Sequence, residues 1–133
     1  MNGTGKVKEY NRFFDKLEFE GEYLNGKRNG KGKEYIFDGK LLFEGEYLNG
    51  KRHGKGKEYD RLNGNIIFEG EYLNGKRNGN GKEYNFFDGK LLFEGEYLNG
   101  KRHGKGKEYD FDGKLLFEGD YLNGKRVWII FIK

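Results

Sequence analysis

The sequence predicts an all-β protein: an elongated single-layer antiparallel meander of stacked β-hairpins, with about eleven strands in a twisted, curved sheet. Its 133 residues include 24 Gly, 12 Phe and 10 Tyr but no Ala, and this composition disfavours helices and favours strands. An aromatic-Glu-Gly motif recurs at steps of 24 or 25 residues, and a fixed period of this size is typical of stacked repeats. Each period contains two tight-turn signals, so each repeat should supply two strands.

The array is predicted to form one domain, because a chain of this length supports a single core. Its repeats begin near residues 17, 41, 66 and 91, after a half repeat at 1–16 and before a partial repeat at 115–126. The apolar segment 127–133 follows where earlier repeats continue with Gly-x-Gly, and we expect it to form a capping strand. The alternative is an apolar edge that contacts another molecule through Trp128, Ile129 and Ile130.

Two kinds of dipeptide mark the turns. Asn-Gly occurs once in each repeat, as at Asn49-Gly50, and a second turn contains Asp-Gly or Asn-Gly, as at Asp38-Gly39. Both supply the positive φ angles that two-residue hairpin loops require. In the 25-residue units an extra residue precedes the second turn, and a loop that ends in Gly64 or Gly89 should absorb it as a bulge. The first connection, YNRFFDKLEF, lacks this glycine, so we expect it to be the least regular.

Closing these loops predicts the register of the strands. A two-residue loop at Asp38-Gly39 places Tyr35 opposite Leu42. Together with the Asn-Gly loop it places Glu44 between Lys33 and Lys55, so that opposite charges alternate across one face of the sheet. In the longer units the same register places Tyr59 opposite Ile67 and Tyr84 opposite Leu92.

The other face of the sheet should carry the large rings. Phe43 and Tyr47 are four residues apart, which places them on the same side of one strand. The register places Phe43 opposite Gly56, Tyr47 opposite Gly30, and Gly45 between Gly32 and Gly54, so the glycines leave room for the rings. This face is the predicted partner-binding surface, because aromatic side chains contribute much of the energy at interfaces. Its residues are Phe19, Tyr23, Phe43, Tyr47, Phe68, Tyr72, Phe93, Tyr97, Phe117 and Tyr121.

A Lys-Arg pair follows every Asn-Gly turn, and the pairs should form a basic row along one edge of the sheet. One interpretation is solubility together with ion pairs to nearby glutamates. The other is an anionic ligand, either a phospholipid headgroup or an acidic helix. The row consists of Lys27, Arg28, Lys51, Arg52, Lys76, Arg77, Lys101, Arg102, Lys125 and Arg126.

Catalysis and metal binding are not indicated. The chain has no Cys and no Ser, which removes the disulfides, thiolate ligands and commonest nucleophiles. His53 and His103 occupy a position that Asn29 and Asn78 hold in alternate repeats, so this position needs no imidazole. The GKGK segment lacks the strand–loop–helix setting of a phosphate loop. We predict no enzyme activity and no cofactor.

Charge and targeting signals narrow the partners. The 26 basic residues are offset by 22 acidic ones, for a net charge of +4, unlike the one-sided charge of a nucleic-acid-binding protein. The N-terminal sequence lacks the apolar core of a signal peptide. We therefore expect a cytoplasmic protein that does not bind nucleic acid.

The repeat unit FEGEYLNGKRHGKGKEY, at residues 43–59, resembles the MORN (membrane occupation and recognition nexus) repeat. The resemblance extends over nearly the whole chain, although Tyr stands at the second ring position where the family often has Trp. It implies a non-catalytic scaffold at membranes or cytoskeletal structures. It also implies that the sheet binds a protein or peptide partner or a second copy, with anionic lipid as an alternative ligand.

The sequence therefore supports three functional hypotheses. The first is an adaptor whose ring-lined face accepts a peptide, a helix or another copy of the chain. The second is a peripheral membrane protein that binds anionic phospholipid through the basic row. The third is a designed or consensus array without a natural partner, although the irregular segments YDRLNGNIIF and YNRFFDKLEF favour a natural origin.

Overall fold

The computed structural model of the chain describes residues 3–128. These residues form β1 (Gly5–Tyr10), β2 (Leu17–Leu24), β3 (Lys27–Tyr35), β4 (Leu41–Leu48), β5 (Lys51–Tyr59), β6 (Ile66–Leu73), β7 (Lys76–Tyr84), β8 (Leu91–Leu98), β9 (Lys101–Tyr109), β10 (Leu115–Leu122) and β11 (Lys125–Arg126). The strands make one open antiparallel sheet whose spatial order follows the sequence from β1 to β11. The predicted fold class, a meander of about eleven strands, is confirmed.

The register across the Asp-Gly hairpins agrees with the prediction away from the turn. Glu44 lies opposite Lys33, and Tyr47 lies opposite Gly30. Phe43 and Tyr47 share one face of β4, where their ring centroids are 5.8 Å apart. The period-two alternation of a strand therefore separates rings from charges as predicted.

The register next to these turns differs from the prediction by one residue. Tyr35 lies opposite Leu41 instead of Leu42. The chain uses a longer turn here, in which the backbone N–H of Ile36 donates to the carbonyl of Lys40 at 2.9 Å. The extra residue on the β4 side forms a bulge. The same correction applies to Tyr59, which lies opposite Ile66 and not Ile67, and to Tyr84, which lies opposite Leu91 and not Leu92.

Across the Asn-Gly hairpins, the predicted register holds for the two residue pairs nearest the turn and is wrong by two residues beyond them. Glu44 lies opposite Lys57 and not Lys55. A bulge in β5 explains the shift, because the carboxylate of Glu46 accepts the backbone N–H of Lys55 at 2.6 Å and Gly54 takes a φ of 76°. Consequently Phe43 lies opposite Glu58 instead of Gly56, and Gly45 lies opposite Gly56 instead of Gly54.

This shift aligns strand glycines in a single row across the sheet. A Cβ built on Gly56 would come within 2.6 Å of Phe43 Cε1 and within 3.0 Å of Tyr72 Cε1. The glycines therefore leave room for rings, as predicted, but Phe43 reaches Gly56 diagonally. The row consists of Gly21, Gly32, Gly45, Gly56, Gly70, Gly81, Gly95, Gly106 and Gly119.

The first connection is regular, contrary to the prediction. Asp15 has a φ of 53°, so it takes the left-handed conformation that glycine takes elsewhere, a role that Asp tolerates better than most residues. Its N–H donates to the carbonyl of Asn11 at 2.9 Å, as the N–H of Gly89 donates to that of Asn85. The aspartate thus replaces the missing glycine without changing the loop.

Candidate binding surfaces

The rings of the predicted binding face form the core of the protein. Phe43 is 0% exposed and Tyr47 is 4% exposed. The ring of Phe43 makes an edge-to-face contact with Tyr72 of the next repeat, at 5.2 Å between ring centroids. The stack of rings therefore continues from repeat to repeat. The core members are Phe19, Phe43, Tyr47, Phe68, Tyr72, Phe93, Tyr97 and Tyr121, with Tyr23 and Phe117 partly buried against them. That a partner contacts these rings stays a prediction.

Each buried phenylalanine is covered by an arginine. The guanidinium carbon of Arg52 lies 4.0 Å from the ring centroid of Phe43, and its Nε donates to Glu34 Oε2 at 2.8 Å. The hydroxyl of Tyr47 donates to the same carboxylate oxygen at 2.5 Å. These Glu-Tyr-Arg clusters are Glu9–Tyr23–Arg28, Glu34–Tyr47–Arg52, Glu58–Tyr72–Arg77, Glu83–Tyr97–Arg102 and Glu108–Tyr121–Arg126.

Within the clusters the carboxylate is stabilised in its charged form. Burial by itself raises the pKa of Glu58, but the hydrogen bonds from Arg77 and Tyr72 outweigh it, and the pKa lies below its ordinary value. Hydrogen bonding from Arg126 lowers the pKa of Glu108 to about 2. Burial and the neighbouring carboxylate raise the pKa of Tyr72. The clusters are therefore ion pairs at neutral pH.

The predicted basic row divides into two parts. Its arginines lie over the rings and pair with glutamates, as Arg77 Nε does with Glu58 Oε2 at 2.8 Å. This agrees with the interpretation of the row as ion pairs. Its lysines are exposed, so an anionic ligand would meet Lys27, Lys51, Lys76, Lys101 and Lys125. Anion binding by the row stays a prediction.

At the C-terminal end, Trp128 covers the last ring of the stack. Its ring lies 4.9 Å from that of Phe117 at an angle of 67°, where in the preceding repeat Tyr121 lies 5.2 Å from Phe93. The indole thus occupies the place of the next repeat's tyrosine, although 67% of its surface is exposed. Of the predicted capping strand at 127–133, Val127 and Trp128 are not part of a strand, and Ile129, Ile130 and the residues after them lie outside the described residues.

The opposite face forms an open groove across the strands from β1 to β10. Its volume is about 2160 Å³. The row of glycines provides the floor, and acidic and basic side chains on either side of it provide the walls. Glu44 and Glu46 flank Gly45 on one strand, and Lys55 and Lys57 flank the glycine of the next. This charged face is predictable from the sequence, where its alternating charges indicate ion pairs and not a site.

Neutral donors hold the glutamates of the groove in place. The backbone N–H of Lys55 donates to Glu46 Oε2 at 2.6 Å, and the hydroxyl of Tyr109 donates to Glu94 Oε1 at 2.6 Å. Burial and the hydrogen bond to Glu44 raise the pKa of Tyr59 to about 12. The role of these tyrosines was not predicted, although a Lys-Glu-Tyr triplet ends every unit of the sequence.

Exposed apolar side chains occupy the second turn of each repeat. Phe37 is 72% exposed and Leu62 is 81% exposed. Neighbouring turns are linked, since Lys40 Nζ donates to the carbonyl of Leu62 at 3.2 Å. The row comprises Phe13, Phe14, Phe37, Leu62, Phe86, Phe87 and Phe111. This row was not predicted, although an apolar residue directly precedes each of these turns from Asp38 onward.

Other kinds of site receive no support from residues 3–128. In that range no three His, Cys, Asp or Glu side chains come together as metal ligands would. No helix in this part of the chain has the length and apolarity needed to cross a membrane. The side chain of His103 is half-buried, and its Nδ1 has no hydrogen-bond partner.

Comparison with known proteins identifies the repeat. The family model described as MORN repeat matches four consecutive segments, at residues 19–40, 43–61, 68–85 and 93–114. The segments cover more than half of the chain and coincide with successive hairpins of the sheet. The curated proteins compared with the chain contain no match. Proteins with MORN repeats include scaffolds and membrane-binding proteins, and the repeat itself is a non-enzymatic module.

Proposed function

Because the chain belongs to the MORN-repeat family, we propose that it is a non-catalytic scaffold that holds a protein or peptide partner in the glycine-floored groove. The observation that carries this proposal is the continuity of the groove, which runs across ten strands and presents nearly the same residues in every repeat. Such a surface suits an elongated partner, because a partner that extends along it meets equivalent contacts at regular intervals.

The burial of the rings supports the groove over the ring-lined face. A partner on that face would meet the guanidinium groups first, because Arg52 and its equivalents cover the phenylalanines. Each arginine is already paired with a glutamate. In the groove, long charged side chains such as those of Lys55 and Lys57 are exposed, so a partner can contact them without breaking the core.

Affinity capture with paired variants tests the proposal. The double variant Lys57→Glu and Lys82→Glu reverses two charges in the groove, whereas Lys51→Glu and Lys76→Glu makes the same change on exposed lysines outside it. We expect the wild-type chain and the outer variant to retain the same discrete proteins from a cytoplasmic lysate, and the groove variant to lose them. Equal loss in both variants, or no discrete proteins at all, would contradict the proposal.

A second candidate is attachment to a membrane surface. The row of exposed apolar side chains in the second turns favours it, since apolar loop tips can enter the interfacial region of a bilayer. Sedimentation with anionic vesicles, compared at low and moderate salt, tests this function. Salt-sensitive binding would indicate the exposed lysines, salt-resistant binding would indicate the apolar turns, and no binding at low salt would exclude both.

The scaffold would act in the cytoplasm, near a membrane or the cytoskeleton, as a monomer or with a second copy.

A further inference from the structure

The walls of the groove carry charge in alternating bands. Odd-numbered strands contribute lysines, as β5 does with Lys55 and Lys57, and even-numbered strands contribute acids, as β4 does with Glu44 and Glu46. Neighbouring strands are about 4.8 Å apart, so bands of the same sign recur about every 9.6 Å. One basic band is incomplete, because Asn80 of β7 stands where the other internal repeats have lysine.

The acidic and the basic side chains of the groove differ in whether they already have hydrogen-bond partners. The internal carboxylates accept hydrogen bonds from tyrosine hydroxyls or from backbone N–H groups, as Glu94 and Glu96 do. Among the residues the structure describes, only one groove lysine has a carboxylate within ion-pair distance, namely Lys107 with Glu118 at 3.7 Å. The ammonium groups of the other described lysines in the groove are therefore the donors left for a ligand, and their natural partners are carboxylates.

The length of the groove selects an elongated ligand. Its floor crosses ten strands, from β1 to β10, and spans roughly 43 Å. An α-helix advances about 5.4 Å per turn, so its side chains do not recur at the roughly 9.6 Å between basic bands.

The spacing of the bands also selects the conformation of an extended peptide ligand. A polyproline II helix has three residues per turn and rises about 9.3 Å per turn, which matches the roughly 9.6 Å between basic bands. Side chains on one face of a β-strand repeat about every 6.7 Å, and so do not stay in phase with the bands. Of these two conformations, only the polyproline II helix puts every third residue of the ligand opposite a basic band.

We propose that the groove binds a single peptide segment in the polyproline II conformation, about 14 residues long, with an acidic residue at every third position. This inference rests on the proposed function and names the class of its partner. Each acidic side chain meets the lysines of one odd-numbered strand, and the two residues between lie towards the acidic bands or the solvent.

Fluorescence anisotropy with defined peptides tests this inference on the full chain. The probe is a labelled peptide of five Glu-Pro-Pro triplets. One control has the same composition with its five glutamates in a block, and another has five Lys-Pro-Pro triplets. We expect the first peptide to bind at least about tenfold more tightly than either control. Equal affinity for the triplet and block peptides, or no binding of the triplet peptide, would overturn the inference.

Variants of the chain locate the binding site. Replacing Lys33, Lys57 and Lys82 by Gln should reduce triplet binding to the level of the block peptide, whereas replacing Lys27, Lys51 and Lys76 by Gln should leave it unchanged. Asn80→Lys, which completes the basic band on β7, should tighten binding. An equal loss in the two triple variants would refute the groove as the site. If the triplet peptide does not bind but lysate proteins still depend on groove lysines, this inference fails and the proposed function stands.

Discussion

The guanidinium carbon of Arg52 lies 4.0 Å above the ring of Phe43, nine residues away along the chain. A sheet of one layer has no second layer to cover its apolar face, so something else must exclude water from the rings. The planar arginine does this while it pairs with Glu34 at 2.8 Å. The relationship recurs at every repeat and explains how phenylalanines become fully buried in such a thin protein.

Replacing one of these arginines by lysine should destabilise the fold. Arg77→Lys keeps the charge but loses the planar group that stacks on Phe68 at 3.9 Å and the bidentate contact with Glu58. We expect the free energy of unfolding to fall by about 1–2 kcal/mol, measured by chemical denaturation. The control is the reverse exchange at the adjacent exposed position, Lys76→Arg, which should change it by less than about 0.5 kcal/mol. Similar effects from both exchanges would show that stacking is unimportant.

Alanine in the row of glycines should be tolerated only at the end of the sheet. At Gly95 an added Cβ would lie 2.6 Å from both the carbonyl oxygen of Lys105 and the Cα of Gly106, and a backbone contact of this kind cannot relax locally. At Gly119 its nearest neighbour is the ring of Phe117, at 2.9 Å. We expect Gly95→Ala to cost at least about 3 kcal/mol and Gly119→Ala clearly less, measured as shifts in the thermal midpoint. A larger loss at position 119 would contradict the packing described above.

The Asn-Gly turns should depend on the tolerance of asparagine for the left-handed conformation. Asn74 has a φ of 51°, which costs most residues about 1–2 kcal/mol. Asn74→Ala should therefore lower the stability by about 1 kcal/mol, whereas Asn74→Gly, which adopts this conformation freely, should leave it nearly unchanged. Denaturation of the two variants side by side is the measurement. If both variants lose the same stability, the asparagine side chain and not its backbone conformation is what the turn requires.

Stability should fall in acid because the cluster glutamates have lowered pKa values. Burial opposes the shift at Glu34 and Glu83, but the hydrogen bonds from arginine and tyrosine outweigh it. A carboxyl whose pKa is lower in the folded state stabilises the fold above its unfolded pKa, and this contribution is lost as the pH falls through the folded value. For Glu108 that value is about 2. We expect a progressive loss of stability from about pH 5 to pH 2, measured by denaturation at several pH values.

A glutamine variant provides the control for this dependence. Glu58→Gln should lower the stability at neutral pH and flatten its decline in acid, because the titrating group is gone. In acid the carboxyl of Glu58 becomes protonated and neutral, as the glutamine amide is at every pH, so the difference in stability between the variant and the wild type should narrow as the pH decreases. An acid profile that runs parallel to that of the wild type would mean that other groups dominate the acid response.

Much of the fold is predictable because its causes are local. The positive φ angles at Asn49 and Gly50 follow from the dipeptide itself, and the period of two places Phe43 and Tyr47 on one face. The register across the same hairpin was not predictable in this way. A shift of two residues moves Glu44 from Lys55 to Lys57 but leaves every side chain on its original face, so the hydrophobic pattern fits both registers equally well.

The sequence by itself therefore determined the number of strands, their order and the separation of rings from charges, since each follows from turn chemistry and alternation within a few residues. The tertiary structure decided the use of particular charged groups. Glu46 accepts the backbone N–H of Lys55, and Arg52 lies on a ring while Lys51 beside it stays exposed. A long charged side chain can reach several partners at a comparable cost in free energy. Only the assembled neighbouring strands fix which partner lies within hydrogen-bonding distance.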